Sequence, residues 1–416
     1  MTRHIGRVRT ALTVLLAWCA LVGVTLAAAP HAAAGSTGEV RYAEAEQVAP
    51  GLSYREFSVS GSQGTAHGHL LTVDLRDRRV SVDLLHPGAV GARAPVSQLA
   101  DSRGAVAGVN GDFYNISETQ HPGVEPTFAP VGPAIASGRH LKAAVPDGQR
   151  FGPALPPGTT TEDVIGVGAD RRARLDRLTL RGTVTTPQGT RRLGGLNQYA
   201  LPVGGIGAFT PEWGVPSRVR ATCGTDTDRA APCSTDTHEV TVSRGRVVSS
   251  ADTPGSGPVA AGSVVLVGRE AGAQTLRKLG TGDRVRVRHR LAATASYVPY
   301  RFAIGGFPIL RDGLPLAGLD HRTAAIRTAA GIGAGGRRLH LLALDGAVEN
   351  RPGVTISELA ALMHTVGADD AINLDGGGSS TLVLREPGAA GVTVRNHPSG
   401  GAERPVPDGI GVFSRP

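Results

Sequence analysis

The sequence predicts an α+β fold: a mixed β-sheet core with flanking helices and a β-rich middle segment. Three features carry this. Short apolar runs with period-two alternation recur along the chain. One amphipathic stretch, Thr355–Val366, has helical spacing. Between Leu339 and Leu374 a strand pattern, that helix and a second strand pattern follow one another and run into a glycine loop. The 416 residues hold 58 glycines and 28 prolines, about a fifth of the chain. That is below the roughly 25–30% at which low-complexity disorder is expected. The chain is long enough for one elaborated domain or two ordinary ones.

Residues 1–34 read as a secretory signal peptide. Arg3, Arg7 and Arg9 precede an uncharged apolar run, Ala11 to Ala27, and small-residue cleavage sites follow. The run is short for a membrane span, so no stable span is expected after cleavage and the mature protein is expected to be secreted. Cys19 follows Trp18 rather than a small residue, which argues against lipid attachment. Cleavage removes three positive charges and no negative one, so the formal charge falls from +8 to +5. Two cysteines remain, Cys223 and Cys233, flanking a polar loop. In an oxidising compartment they read as a local disulfide.

Of the 43 basic residues only Lys142 and Lys278 are lysine. The arginines are scattered in sequence, with no basic block of the kind that marks a nucleic-acid arm, so no nucleic-acid partner is expected.

Residues 39–145 read as the N-terminal β-rich part of a catalytic unit. Ser53 to Ser60, His69 to Leu75 and Val80 to Leu85 alternate as half-buried strands. A short helix covers Val96 to Asp101, and the strand Ala105 to Val109 runs into NGDFYN. The Pro-rich stretch Pro146 to Thr161 reads as a linker or a long surface loop. Residues 146–300 form a β-rich insertion or subdomain, and 301–416 hold the core. There Phe302 to Leu310 is a strand broken at Gly305-Gly306, and Leu339 to Leu344 ends at Asp345-Gly346. The helix opens with a Thr355/Glu358 capping box, lines one face with Leu359, Leu362, Met363 and Val366, and stops at Gly367. Ala371 to Leu374 ends at DGGGSS, Thr381 to Leu384 follows, and Gly409 to Phe413 closes the chain as a final strand.

Three strands thus end in an acidic turn, at Asp112, Asp345 and Asp375. Asp-Gly after a strand is an ordinary turn signal, but strand ends also hold side chains rigidly at an open edge, and three together suggest a cleft. In DGGGSS, Gly376, Gly377 and Gly378 would let backbone amides form an anion nest, with Ser379 and Ser380 adding hydroxyls. No Walker or dinucleotide pattern accompanies it, and no cofactor or metal site is expected. Arg327 could grip a phosphate with its planar fork, next to Thr328 and downstream of His321.

NGDFYN (110–115), AIGGFPILRDG (303–313), Arg327-Thr328, LALDG (342–346), NLDGGGSSTLV (373–383) and Glu403-Arg404 occur in one order. Together they resemble the phosphodiester glycosidase family, over about residues 100–145 and 300–416. The resemblance implies a hydrolase that cleaves the glycosidic C–O bond of a sugar-1-phosphodiester, such as an N-acetylglucosamine-1-phosphate linkage, leaving a phosphomonoester. It implies a sugar-phosphate glycan or envelope glycopolymer as substrate. Asp112, Asp345, Asp375 and Glu403 are then the candidate catalytic carboxylates. Asn110 and Asn373 would meet sugar hydroxyls; His321, Arg327, Thr328, the glycine loop, Ser379, Ser380 and Arg404 would meet the rest of the substrate. Two other readings stay open: an exo-glycosidase acting on phosphate-free glycans, and a non-catalytic envelope glycan-binding protein.

Overall fold

The computed structural model describes residues 38–346 and 352–415. The segment 1–34, with Cys19, lies outside the described residues. The fold is mostly β, which corrects the α+β expectation. Among the described residues there are three α-helices, Val96–Arg103, Ala271–Leu276 and Ile356–Thr365, against four multistranded sheets. The sheets are not mixed either. Every strand pair is antiparallel except the two-residue contact of Gly195–Leu196 with Ile206–Phe209. The strand–helix–strand unit misled because Leu339 to Leu344 and Ala371 to Leu374 do not pair in parallel. Thr328–Gly333 lies between them and is antiparallel to both.

The largest sheet has nine strands. Its central run is Leu52–Gly61, Gly64–Asp74, Arg338–Leu344, Thr328–Gly333, Asp370–Leu374 and Phe307–Arg311. A five-stranded sheet faces it, ordered Thr393–Val394, Leu382–Leu384, Ala107–Asn110, Gly409–Ser414, Val80–Leu85. Leu71, Leu341, Ile372 and Leu374 from the first sheet share one core with Val82, Val109, Leu382 and Ile410 from the second. The outer face of the large sheet is covered by Ile356–Thr365. Its N-terminus carries the reciprocal Thr355/Glu358 capping box, and Leu359, Leu362 and Met363 are buried beneath it. Each such side chain contributes about 1.5–3 kcal/mol by leaving water.

The middle of the chain is indeed strand-rich, and part of it is woven into the same unit. Tyr300–Gly305 lies between Asp163–Gly168 and Ala134–Ala136 in a seven-stranded sheet. A further five-stranded sheet is built around Ser263–Arg269 and Thr237–Ser243. The Pro-rich stretch packs inward: Phe151 is buried and the Thr161 hydroxyl donates to the Val145 carbonyl at 2.5 Å. The Cys223–Cys233 disulfide is formed. No helix among the described residues is long and apolar enough to cross a membrane.

The break at Gly305-Gly306 has a steric cause. A Cβ on Gly305 would sit 2.5 Å from Asp112 Oδ2, and one on Gly306 would sit 2.6 Å from Ile372 Cδ1. The chain passes there from the seven-stranded sheet into the nine-stranded one, and only glycine fits that close approach.

Candidate active site

Four separate segments meet at one edge of the two facing sheets. Asn110 ends its strand fully buried. Its amide donates to the Asp375 carbonyl at 2.7 Å, and its Oδ1 accepts from the Thr328 hydroxyl at 2.8 Å and the Thr381 N–H at 3.1 Å. Thr328 Oγ1 is also hydrogen-bonded to Ser380 Oγ at 3.0 Å, accepting the serine proton. Asn110, Thr328 and Ser380 are therefore fasteners: they join NGDFYN, the Thr328 strand and the glycine loop, and each is at most 1% exposed.

Asp112 and Asp375 are brought close enough for their charges to interact. Asp112 is buried; Asp375 is mostly buried at the start of the glycine loop, with part of its surface open. Asp112 Oδ2 accepts the Gly132 N–H at 2.6 Å. The carbonyl of that same Gly132 accepts from Lys142 Nζ, which also donates to the Val131 and Ala143 carbonyls at 3.2 and 2.7 Å. Asp408 lies alongside, its Oδ1 accepting the Asp112 N–H at 2.9 Å. Asp112 Oδ1 and Asp408 Oδ2 have no hydrogen-bond partner among the described residues. Burial pushes Asp112 up to about 7, against the Gly132 N–H and the Lys142 charge, and pushes Asp408 well above the carboxylate range. Burial also lowers Lys142 to about 7, against the pull of both carboxylates. Burial raises Asp375 to about 6, opposed by the Ser379 hydroxyl, the Gly376 N–H and the Arg404 charge. A partly open carboxyl poised near neutrality among buried titratable groups is the pattern of a reactive site.

The glycine loop does not form the outward-facing nest expected from DGGGSS. Gly376 N–H donates to Asp375 Oδ1, Gly377 N–H to the Ile326 carbonyl, and the Ser379 and Ser380 amides to the Gly376 and Gly377 carbonyls. The glycines serve geometry instead. A Cβ on Gly376 would overlap the Ile326 carbonyl, Gly377 has φ +58°, and a Cβ on Gly378 would overlap the Arg404 guanidinium. Arg404 therefore lies flat on the loop, with Nη1 3.4 Å from Ser379 Oγ. It is partly exposed and stands next to Asp375 and Tyr114.

The other expected residues go elsewhere. Glu403 accepts the Ser97 N–H at 3.0 Å and its hydroxyl at 2.5 Å, so it caps the helix Val96–Arg103 from outside. Arg327 points Nε at the Val354 carbonyl and Nη2 at the Thr323 carbonyl, which commits two nitrogens to backbone. His321 is exposed on the loop before it. Asp345 lies in a separate cleft of about 460 Å³ beside Arg395. Burial opposes its ionisation, but His69 at 3.1 Å and the His397 N–H at 2.8 Å hold its carboxyl well below the usual range. Asn373 lines a third cavity, about 340 Å³, with Phe307 and Ile356, and neither of its amide atoms is hydrogen-bonded. Lys142, Asp408 and Tyr114 were not singled out from sequence. Pro407-Asp408-Gly409 is a fourth acidic turn beside a strand, and Lys142 is one of two lysines in an arginine-rich chain; these were the available signals.

Residues 236–413 match the family model described as phosphodiester glycosidase. This C-terminal region is similar to the phosphodiester glycosidase family. The match spans Thr328, Asp375, Arg404 and Asp408, whereas Asp112 and Lys142 precede it. A search of curated proteins found no match. Among solved structures, a hypothetical protein from Synechocystis is 22% identical with a TM-score of 0.65, over 88% of this chain and 62% of that one. The chain thus spans less than two thirds of that protein. A Burkholderia pseudomallei protein described as exported is 19% identical with a TM-score of 0.66, over 90% and 97% of the two chains. Both share the fold. The catalytic domain of zebrafish N-acetylglucosamine-1-phosphodiester alpha-N-acetylglucosaminidase, auto-inhibited by its pro-peptide, is 16% identical over 91% and 89% of the chains, with a TM-score of 0.43.

Proposed function

We propose that this protein is a secreted hydrolase that breaks the anomeric C–O bond of a sugar-1-phosphodiester in an envelope or extracellular glycopolymer. The observation that carries the reading is the partly open Asp375 beside Arg404, next to the buried Asp112, Asp408 and Lys142. Arg404 takes the phosphodiester, meeting its charge with a planar fork. Asp375, ionised, takes a proton from the water that attacks the anomeric carbon. The C–O bonding pair leaves with the phosphoryl oxygen, giving a free sugar and a phosphomonoester. Such a leaving group needs charge stabilisation more than protonation, which suits an arginine better than a second acid. Asp112 and Asp408 lie too deep to touch substrate; they are positioning residues that fix the NGDFYN turn against the loop. Secretion is supported by the 1–34 sequence pattern and by the disulfide.

The test is hydrolysis of UDP-N-acetylglucosamine and a panel of sugar-1-phosphodiesters in ¹⁸O-labelled water, beside Arg404→Ala and Asp375→Asn. The expected result is label in the released sugar and loss of turnover in both variants. Label in the phosphate would mean P–O cleavage and overturn the proposal. Arg404→Ala active on diesters would favour the phosphate-free exo-glycosidase.

A further inference from the structure

Ala173–Thr186 is the centre of a three-stranded ribbon, with Arg286–Ala293 on one edge and Gly189–Arg192 on the other. Leu178, Leu180 and Val184 point inward to a core. The alternate positions form the outer face, and the register fills it with arginine. Arg181 stands directly opposite Arg290, and Thr183 pairs with both Arg288 and Arg192. Arg286 faces Thr185 one step further along. All five arginines are exposed, and the carboxylate that reaches this face, Glu162, accepts the Thr179 hydroxyl at 2.9 Å at its end rather than an arginine. Successive arginines on one strand, 286, 288 and 290, are about 7 Å apart from strand geometry.

Elsewhere in the molecule arginines meet acids: Arg79 with Asp77, Arg103 with Asp83, Arg218 with Glu239, Arg220 with Glu118. None of these five has an ion pair among the described residues. Like charges directly opposite across a sheet destabilise it, so Arg181 against Arg290 works against folding. The same arrangement recurs nearby, where Arg246 bridges to Arg284. Two shallow depressions, about 460 and 700 Å³, lie against Arg181, Arg192 and Arg288 and against Arg244, Arg246 and Arg284.

The geometry points to this ribbon as an exosite for a polyanionic glycopolymer whose phosphodiesters repeat along the chain and engage the regularly spaced guanidiniums. The face has no aromatic side chain on which bases could stack, so it favours a phosphate-repeating glycan over single-stranded nucleic acid. The choice of occupant rests on the phosphodiester reading above. Binding is measured without turnover, so the two can fail separately.

The experiment compares the wild-type protein with Arg181→Ser/Arg288→Ser/Arg290→Ser. A control of equal charge change, Arg41→Ser/Arg76→Ser/Arg78→Ser, lies away from the ribbon. Binding to poly(glycerol phosphate), neutral dextran and single-stranded DNA of matched charge is followed from low to high salt. The ribbon variant is expected to melt no lower than wild type, since it removes the Arg181–Arg290 opposition, and to keep its turnover of a small sugar-1-phosphodiester. It should lose at least tenfold in poly(glycerol phosphate) affinity, with a salt slope shallower by about two for three lost contacts. The control should bind as wild type. Equal binding by the ribbon variant would overturn the exosite. DNA bound more tightly than poly(glycerol phosphate) at matched charge would overturn the glycopolymer and assign a nucleic acid.

Discussion

Asp408 Oδ1 accepts the backbone N–H of Asp112, so a carboxyl group near the end of the chain pins the turn that carries another, nearly 300 residues earlier. Both groups are buried, and each keeps one oxygen without a hydrogen bond. Lys142, held by three carbonyls, is the positive charge that acts on both. The arrangement disfavours ionising both acids at once, because a charge on Asp112 raises Asp408 further.

That arrangement gives stability a pH dependence. A carboxyl whose folded pKa is raised contributes stability below its unfolded value, and the contribution is lost as pH rises toward the folded value. For Asp112 that window runs from about 4 to about 7. Lys142 is depressed from 10.5 to about 7, so its contribution is present at high pH and is lost as pH falls through that range. Between pH 5 and 7 the melting temperature is expected to fall as pH rises. Asp408→Asn keeps the acceptor for the Asp112 N–H and removes the charge, so the fall should be smaller in that variant. Differential scanning fluorimetry across pH 5–8 decides it; an identical slope in the two proteins would contradict the assignment.

Asp375 acts as a carboxylate, so kcat/KM on a small sugar-1-phosphodiester should rise as pH climbs through about 6. Asp375→Asn should lower kcat by about 10²–10⁴-fold, the usual size of a general-base contribution, and abolish that rising limb. A pH–rate profile of both proteins checks this. A wild-type rate that instead falls through pH 6 would make Asp375 an acid.

Gly378→Ala should behave like an Arg404 variant although it leaves Arg404 in place. The new methyl would occupy the position of the guanidinium, a flexible group that can move away. Turnover should therefore drop by about 10²–10³-fold, the scale of a lost charge-stabilising donor, with little change in melting temperature. Gly376→Ala meets a backbone carbonyl, which cannot move as cheaply, and should lower stability as well. Paired kinetics and melting curves separate the two.

Glu403→Ala tests a capping role against a catalytic one. Losing the acceptor for Ser97 N–H and Oγ should destabilise the helix Val96–Arg103 by about 1 kcal/mol. Turnover measured well below the melting temperature should stay within about threefold of wild type; a loss of 10²-fold or more would place Glu403 in the chemistry.

Much of the local structure could be read from residue order. The Thr355/Glu358 box, the Gly305-Gly306 break and the Cys223–Cys233 pair are short-range features, and all three are present. What could not be read was partnership. Arg327 and Glu403 look like substrate groups until the fold gives one the Val354 carbonyl and the other the end of a helix. DGGGSS has the composition of a phosphate nest, yet the amides of Gly376, Gly377, Ser379 and Ser380 are taken by the loop itself and by the Ile326 carbonyl. The arginine ribbon was hidden for the same reason. Arg181 and Arg290 are 109 positions apart in sequence, and only strand register sets them opposite each other. The α+β expectation failed because a helix between two strand patterns does not say which strand lies between them in space.

The strand Gly409–Ser414 sits between Val80–Leu85 and Ala107–Asn110, and Arg404 and Asp408 immediately precede it. A chain that has folded only as far as the glycine loop has a gap in its sheet, no guanidinium on Gly378 and no acceptor for the Asp112 N–H. Completion of that sheet and completion of the reactive site therefore depend on the same short stretch, residues 404–414.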